Sequence, residues 1–469
     1  VPHRRLRRTG RNFLCGKRSI KRRKLTENNV SPIFSERRNS IFEVGAKGMK
    51  KKTKQTLAML SVAAIAGTML GACKKHTDNA VTLTVWCSQM DMDLAKEISE
   101  NFKKDHADTQ YNFRFAAQGE NEVATKILTD VEAAPDVFSF SSDQILKLIA
   151  GDALSRIGGD RLIRIRENND EKAVDAATVT GANGEESVYA FPYTDNTFFL
   201  YYNKAYFGET DVETLDGILA KCSSSKKFAM PLNDGWYNTS FYFGAGLGYE
   251  VTYNDSFAET KIVTDFGGDV GKKVTKALYE TASNPKVFPD ANDSTIAAGF
   301  SDGSVIAATS GIWNKKTFSG YLGENFGVAK LPSYTYARGE SGETQKQLTA
   351  FAGYKLMGVG QYSKNKSAAL EFAEYYTNKE NQVRRFKDRG FVPTNKEARE
   401  ENDVQSDACA TAIANQLKYS KTQKNVPSTL WLPMQGLGNA MITAATTGSE
   451  FRLETELAAY VKAIEKTTD

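Results

Sequence analysis

Four tryptophans offer the plainest chemistry in the sequence. Trp86 precedes Cys87-Ser88-Gln89, Trp236 sits in Asn233-Asp234-Gly235-Trp236-Tyr237, and Trp313 sits in Ser310-Gly311-Ile312-Trp313-Asn314. Trp431 also lies near small and polar residues. A flat aromatic beside Asp, Asn or Gln suits a polyhydroxylated ring: the apolar C–H face stacks on the aromatic, and the hydroxyl rim meets planar polar groups. Each tryptophan is equally readable as a core residue at a strand end. For Trp86, on a strand facing a helix, the core reading is favoured.

Other chemistries find less support. His3, His76 and His106 are the only histidines, which leaves almost no material for His-based metal sites or a Ser-His-Asp triad. His106, between Asp105 and Asp108 at a helix end, reads as a solvated surface residue. Cys87, Cys222 and Cys409 are widely spaced and odd in number, so neither a metal cage nor a disulfide framework follows. Gly267-Gly268-Asp269-Val270-Gly271-Lys272-Lys273 has the wrong spacing for a phosphate loop, with Lys273 where Ser or Thr should bind magnesium, and reads as a turn. Gly244-Ala245-Gly246-Leu247-Gly248 reads as a turn or a close helix contact. Asp290-Ala291-Asn292-Asp293 lacks the Gly and distal Glu of a calcium loop and reads as a helix-start cap. No cofactor is implied. Paired carboxylates for glycoside hydrolysis remain open, because nothing marks one pair among many acids.

Charge separates the chain into two parts. It has 61 Lys+Arg and 56 Asp+Glu over 469 residues, a net charge of +5. The basic excess lies before Cys73; from Cys73 onward 43 basic and 53 acidic residues give −10. An acidic body repels phosphate backbones, so no nucleic-acid partner is expected. Met49 is followed by Lys50, Lys51, Lys52 and Lys54, an apolar stretch from Leu57 to Leu70, then Gly71-Ala72-Cys73. That pattern is a secretory signal (residues 49–72), too short at roughly 21 Å of helix to span a membrane. The cysteine after small residues resembles a bacterial lipobox, which predicts lipidation of Cys73 and an anchored, extracytoplasmic protein. Residues 1–48 are expected to be an upstream segment outside the mature protein, and 73–80 a tether.

The elements that must position the tryptophans follow from periodicity. Val81–Trp86 and Tyr111–Ala116 alternate as strands, and Asp136–Phe140 reads as a third. Leu94, Ile98 and Phe102 predict a helix over 93–107; Val123, Ile127 and Val131 predict another. Ser141 and Ser142 are cap candidates for a helix over 144–150, with Gly151 as its stop. Phe228–Leu232 and Ser304–Ser310 are the clearest later strands, and Lys366–Thr377 is a helix, with a further helix ending before Gly390. Residues 333–347 are polar and predict a surface loop. Alternating strands and helices predict an α/β fold with mainly parallel, doubly wound sheets. At roughly 100–200 residues per domain the length allows two or three, and no linker separates them.

In order and spacing, these segments resemble the extracellular solute-binding protein family of ABC transporters typified by maltose- and maltodextrin-binding proteins. The resemblance covers most of residues 80–469. It rests on Leu83-Thr84-Val85-Trp86, Ala134-Pro135-Asp136-Val137, Ala190-Phe191-Pro192 leading to Tyr201-Tyr202-Asn203-Lys204, Phe300-Ser301-Asp302-Gly303 running to Gly311-Ile312-Trp313, Ala369-Leu370-Glu371-Phe372, and Gly390-Phe391-Val392-Pro393. It implies two doubly wound α/β lobes joined by hinge strands, with lobe 1 over 80–193 and 349–398 and lobe 2 over 194–348 and 399–469. It further implies a monomeric, non-catalytic carrier that closes on a carbohydrate, an oligosaccharide by preference, and docks on permease subunits. Matching motif positions then puts Asp91, Phe140 and Asp143 on the ligand from lobe 1, and Asn196 at the hinge. Asp234 and Trp236 come from the far lobe, Trp313 is the main platform, and Trp431 or Gln435 is the last one. Met92, Gln144 and Asn196 depart from the basic residue, Arg and Glu of the family. The alternatives are a cell-surface glycosidase or transferase using two carboxylates, which would turn over an oligosaccharide, and a carrier of a non-sugar solute such as a peptide or polyamine, for which a cleft of acids without aromatics would favour a cation.

Overall fold

The computed structural model describes residues 80–181 and 184–467. Residues 1–48, the signal-like stretch 49–72 and Cys73 lie outside the described residues. Among those described, no helix is long and apolar enough to cross a membrane.

The first strand, β1 (Val81–Cys87), buries Leu83, Val85 and Cys87 and leaves the alternate residues less buried. Trp86 is among the latter: it is half-buried against the first-lobe core, as its favoured reading had it. Helix α1 (Met92–Asp105) buries Leu94, Ile98 and Phe102 on one face. Strands β2 (Tyr111–Ala117) and β3 (Val137–Ser141) flank β1, both parallel to it. The helix expected from Val123 to Val131 ends at Ile127. Beyond it the Asp130 carboxylate accepts from Ala133 N at 3.2 Å, a local turn that competes with helix before Pro135. Helix α2 (Ile145–Ala150) follows a single 3-10 turn, Ser142–Gln144. Neither serine caps it as expected. Ser141 makes no side-chain cap bond, and Ser142 Oγ donates to the Gln423 carbonyl at 2.9 Å instead.

Strand β4 (Ala190–Asn196), buried throughout, leads directly into β5 (Phe198–Asn203) of a second sheet. That sheet adds β6 (Lys227–Ala229), β9 (Val287–Phe288), β10 (Val305–Gly311) and β11 (Phe326–Ala329) in the order β9-β6-β10-β5-β11. Strands β9, β6 and β10 are parallel, whereas β5 runs antiparallel to both its neighbours. Between them lie α3 (Gly235–Gly244), a hairpin of β7 (Tyr249–Tyr253) and β8 (Glu259–Thr264), α4 (Asp293–Asp302), and after β10 helix α5 (Lys315–Leu322). The sequence 267–273 starts a helix, Asp269–Ala282, rather than only a turn. The polar stretch 333–347 is a hairpin, Ser333–Tyr336 against Thr344–Gln347. Tyr334 makes it one: it is buried, packs on Phe241 and donates to the Phe241 carbonyl at 2.7 Å.

Strand β12 (Ala350–Val359) then returns to the first sheet. It is antiparallel to β3 on one edge and to β4 on the other, with β13 (Ser420–Thr422) parallel to its first residues. Helix α6 (Lys366–Tyr376) covers this sheet, and α7 (Lys379–Arg389) stops at Gly390, which is left-handed at φ 75°. Helix α8 (Trp431–Thr447) packs on the second lobe. One hydrophobic core gathers side chains from residues 83–193 and 354–376; two others gather residues 198–351 and 391–464. The result is the two-lobed α/β fold that the sequence predicts. Phe391 and Val392 join a second-lobe core, yet the Val392 carbonyl accepts from Asp195 N at 3.1 Å and Thr194 Oγ1 at 2.8 Å. The chain therefore crosses between lobes around them. His106 is not simply solvated: its ring stacks on Phe102 at 4.0 Å. The three cysteines 87, 222 and 409 are free and buried.

Candidate functional site

A cavity of about 720 Å³ lies between the lobes at the C-terminal ends of β3, β4 and β10. Strand ends of open α/β sheets leave such crevices, because the following loops part to reach helices on opposite faces. Glu120, Ser141 and Asp143 line it from the first lobe; Asp234, Trp236, Asp293 and Trp313 from the second; Asn196 and Lys355 from the crossing strands; Gln423 from just past β13; Trp431 and Gln435 from α8.

Two tryptophans dominate its far wall. The rings of Trp236 and Trp313 lie 5.8 Å apart at 37°. Trp236 is in the first turn of α3, whose cap Asp234 accepts from Trp236 N at 2.8 Å. Its ring rests against Phe198 at 4.7 Å, and its Nε1 donates to Gln423 Oε1 at 3.0 Å. Trp313 follows β10 and donates from Nε1 to Asp293 Oδ2 at 2.8 Å. Trp431 opens α8 and packs edge-on against Phe351 at 5.3 Å.

The polar wall is tied together. Gln423 Nε2 donates to Asp143 Oδ1 at 3.1 Å, so one amide links Asp143 of the first lobe to Trp236 of the second. Burial pushes the Asp143 carboxyl up to about 7, against the pull of its own loop backbone and of Gln423. Glu120 is buried, which alone would raise its pKa. Lys355 at 2.5 Å and the Tyr193 hydroxyl at 2.9 Å outweigh that, and hold it below the usual carboxylate range. Asp293 Oδ1 accepts from Ser310 Oγ at 2.9 Å and Asn314 Nδ2 at 2.7 Å. Apolar ring faces surrounded by carboxylates and amides can grip a neutral polyhydroxylated molecule by stacking and hydrogen bonding.

Of the expected ligand residues, Asp143, Asn196, Asp234, Trp236, Trp313 and Trp431 are brought together here, and Gln435 with them. Two are not. Asp91 is fully buried in the first lobe, where Arg385 (3.5 Å) and Arg389 (3.6 Å) face its carboxylate. Phe140 is fully buried in the first-lobe core beside Phe138, because every residue of β3 is covered on both faces. Glu120, Asp293, Lys355 and Gln423 were missed. Glu120 lies just past the end of β2, a position that strand-end logic could have flagged. Asp293 stands in the helix start that the sequence predicts, capped by Asn292, and nothing local marks it as cavity lining. Gln423 and Lys355 sit in stretches with no local pattern, and reach the cavity only through long-range strand pairing.

The sequence model of a family described as bacterial extracellular solute-binding protein matches residues 97–412. A galactooligosaccharide-binding protein of Bacillus subtilis (strain 168) is 23% identical over 417 residues, spanning 85% of this chain and 94% of that one. A structure solved with acarbose superposes with a TM-score of 0.72 at 30% identity, over 82% of this chain and 98% of that chain. The maltodextrin-binding protein of L. casei BL23, solved without ligand, gives a TM-score of 0.67 at 24% identity over 82% and 99%. The two solved structures share the two-lobed fold described above. With the family's sequence pattern running through both lobes, this chain belongs to the bacterial extracellular solute-binding proteins.

Proposed function

We propose that the protein is the carbohydrate-binding component of an ABC importer, taking up an oligosaccharide in the inter-lobe cavity and delivering it to permease subunits. The observation that carries this reading is the Trp236–Trp313 pair, which presents two large ring surfaces toward a rim of Asp143, Asn196, Asp234 and Gln435. The names of the relatives support the same ligand class. The lobes, taken as 80–193 with 349–398 and 194–348 with 399–469, act as near-rigid bodies. They close about the strands near Pro192–Asn196 and Thr349–Gly353, with the crossing at Phe391–Val392 completing the hinge.

Calorimetry against a panel of neutral mono- and oligosaccharides tests the reading. A binding saccharide at 100-fold excess over its Kd stabilises the fold by about 2.7 kcal/mol through mass action. Absence of binding across the panel, with an amino acid or polyamine binding instead, would reject it. Lipidation of Cys73 places the carrier beside its permease, since two acyl chains suffice for stable anchoring. On this reading Cys73→Ala moves the protein out of the membrane fraction, and its retention there would show that the cysteine is not the anchor.

A further inference from the structure

We propose that Asp293 is a positioning residue that fixes the plane of the Trp313 indole and acts on the ligand only through that ring. The inference rests on the reading of the cavity as a saccharide site. Three donors from one turn converge on this carboxylate: Trp313 Nε1 on Oδ2 at 2.8 Å, and Ser310 Oγ and Asn314 Nδ2 on Oδ1 at 2.9 and 2.7 Å. Asn314 also donates to Ser310 Oγ at 2.9 Å, so both flanks of the tryptophan are held to one another as well as to Asp293. The Tyr201 hydroxyl donates to the Gly311 carbonyl at 2.9 Å and pins the turn from beneath.

A second, independent feature agrees. The indole folds back over Gly311 so closely that a Cβ there would stand 1.9 Å from a ring carbon. The turn thus has a glycine where the ring needs room, and a carboxylate where the ring's one donor points. Asp293 is itself set by local structure. It is the first residue of α4, after Asn292, whose side chain accepts from Ser294 N and Thr295 N. An acidic side chain in the first turn suits a helix start. An indole held by a hydrogen bond to a fixed carboxylate oxygen is preorganised, and a ligand that stacks on it meets a ring already in place.

Two measurements on the full chain decide the matter. In ligand-free protein, exchange of the Trp313 indole N–H, assigned with Trp313→Phe, is expected to quicken by about tenfold or more in Asp293→Ala, with the other tryptophans unchanged. Asp293→Asn keeps one acceptor and should lie between, which guards against an Asp293→Ala variant that fails to fold. Unaltered exchange at Trp313 overturns the proposal. The second measurement is a double-mutant cycle on affinity for a saccharide that the wild type binds. Asp293→Ala should weaken binding about tenfold in the wild type and leave it unchanged in a Trp313→Ala background. An equal loss in both backgrounds would mean that Asp293 touches the ligand directly, and would also overturn the proposal. If the wild type binds no saccharide, the functional reading fails, and the exchange measurement still decides whether Asp293 holds the ring.

Discussion

Asp143 shows how one side chain can make the cleft sensitive to pH. Its carboxyl titrates at about 7 in the fold against an ordinary 3.8, with burial as the main cause. Between those values the folded protein holds a proton that the unfolded chain releases, so this group's contribution to stability falls as pH rises from about 4 to about 7. The Asp143→Asn variant, neutral throughout, should therefore gain stability relative to wild type as pH rises through that window. Denaturation at pH 5 and pH 8 checks this, and a constant difference between the two proteins would show that Asp143 is ionised across the range. For Trp313 the expectation concerns the ligand. Trp313→Ala should weaken saccharide binding by about 2 kcal/mol, roughly 30-fold. Affinity within threefold of wild type, with a large fall in ligand-free melting temperature, would make Trp313 a core residue. Trp313 was legible in the sequence because a rare aromatic stands next to a strand end, whereas Asp143 was implied by the resemblance alone. The burial of Asp91 was not legible: its neighbours in sequence look like a cleft loop, and only the tertiary fold supplies Arg385 and Arg389.

Among the elements, β12 does most to join cleft and hinge. Gly353 pairs with Asn196 of β4, and Gln423 N donates to the Ala352 carbonyl at 3.0 Å. A Cβ on Gly353 would lie 2.5 Å from Gln423 Oε1 and 2.9 Å from the Asn196 carbonyl oxygen. The side chain can swing aside, but the backbone oxygen cannot without moving β4. Gly353→Ala is thus expected to lose about 1–3 kcal/mol of stability and to break the Trp236–Gln423 hydrogen bond. Chemical denaturation reads the first effect and the Trp236 indole N–H resonance the second. Strands β1, β2 and β3 and helices α1 and α6 were legible because their apolar spacing is regular. The 333–347 hairpin was not, since its outer strand, Thr344–Gln347, is polar throughout and its inner one is recognisable only by the burial of Tyr334.

For the molecule as a whole, closure is the measurable event. Small-angle scattering should show a smaller radius of gyration at saturating saccharide than without it, as hinge-bending about short segments produces. An unchanged profile with binding confirmed by calorimetry would mean that the lobes do not move. The α/β class was legible from the alternation of strands and helices, and the two lobes from the resemblance. The third crossing was not, because the motif Gly390-Phe391-Val392-Pro393 does not show that Phe391 and Val392 contact both lobes.

The late return of β12 also governs how the chain can fold. Tyr354 N donates to Ser142 Oγ across 212 residues of sequence, and β3 has no antiparallel partner until β12 arrives. The amino-terminal lobe consequently cannot complete its sheet while the ribosome or a translocation channel still holds the second half of the protein. Contacts this distant slow folding. A nascent chain so organised is expected to close its amino-terminal sheet only once most of its length has been made.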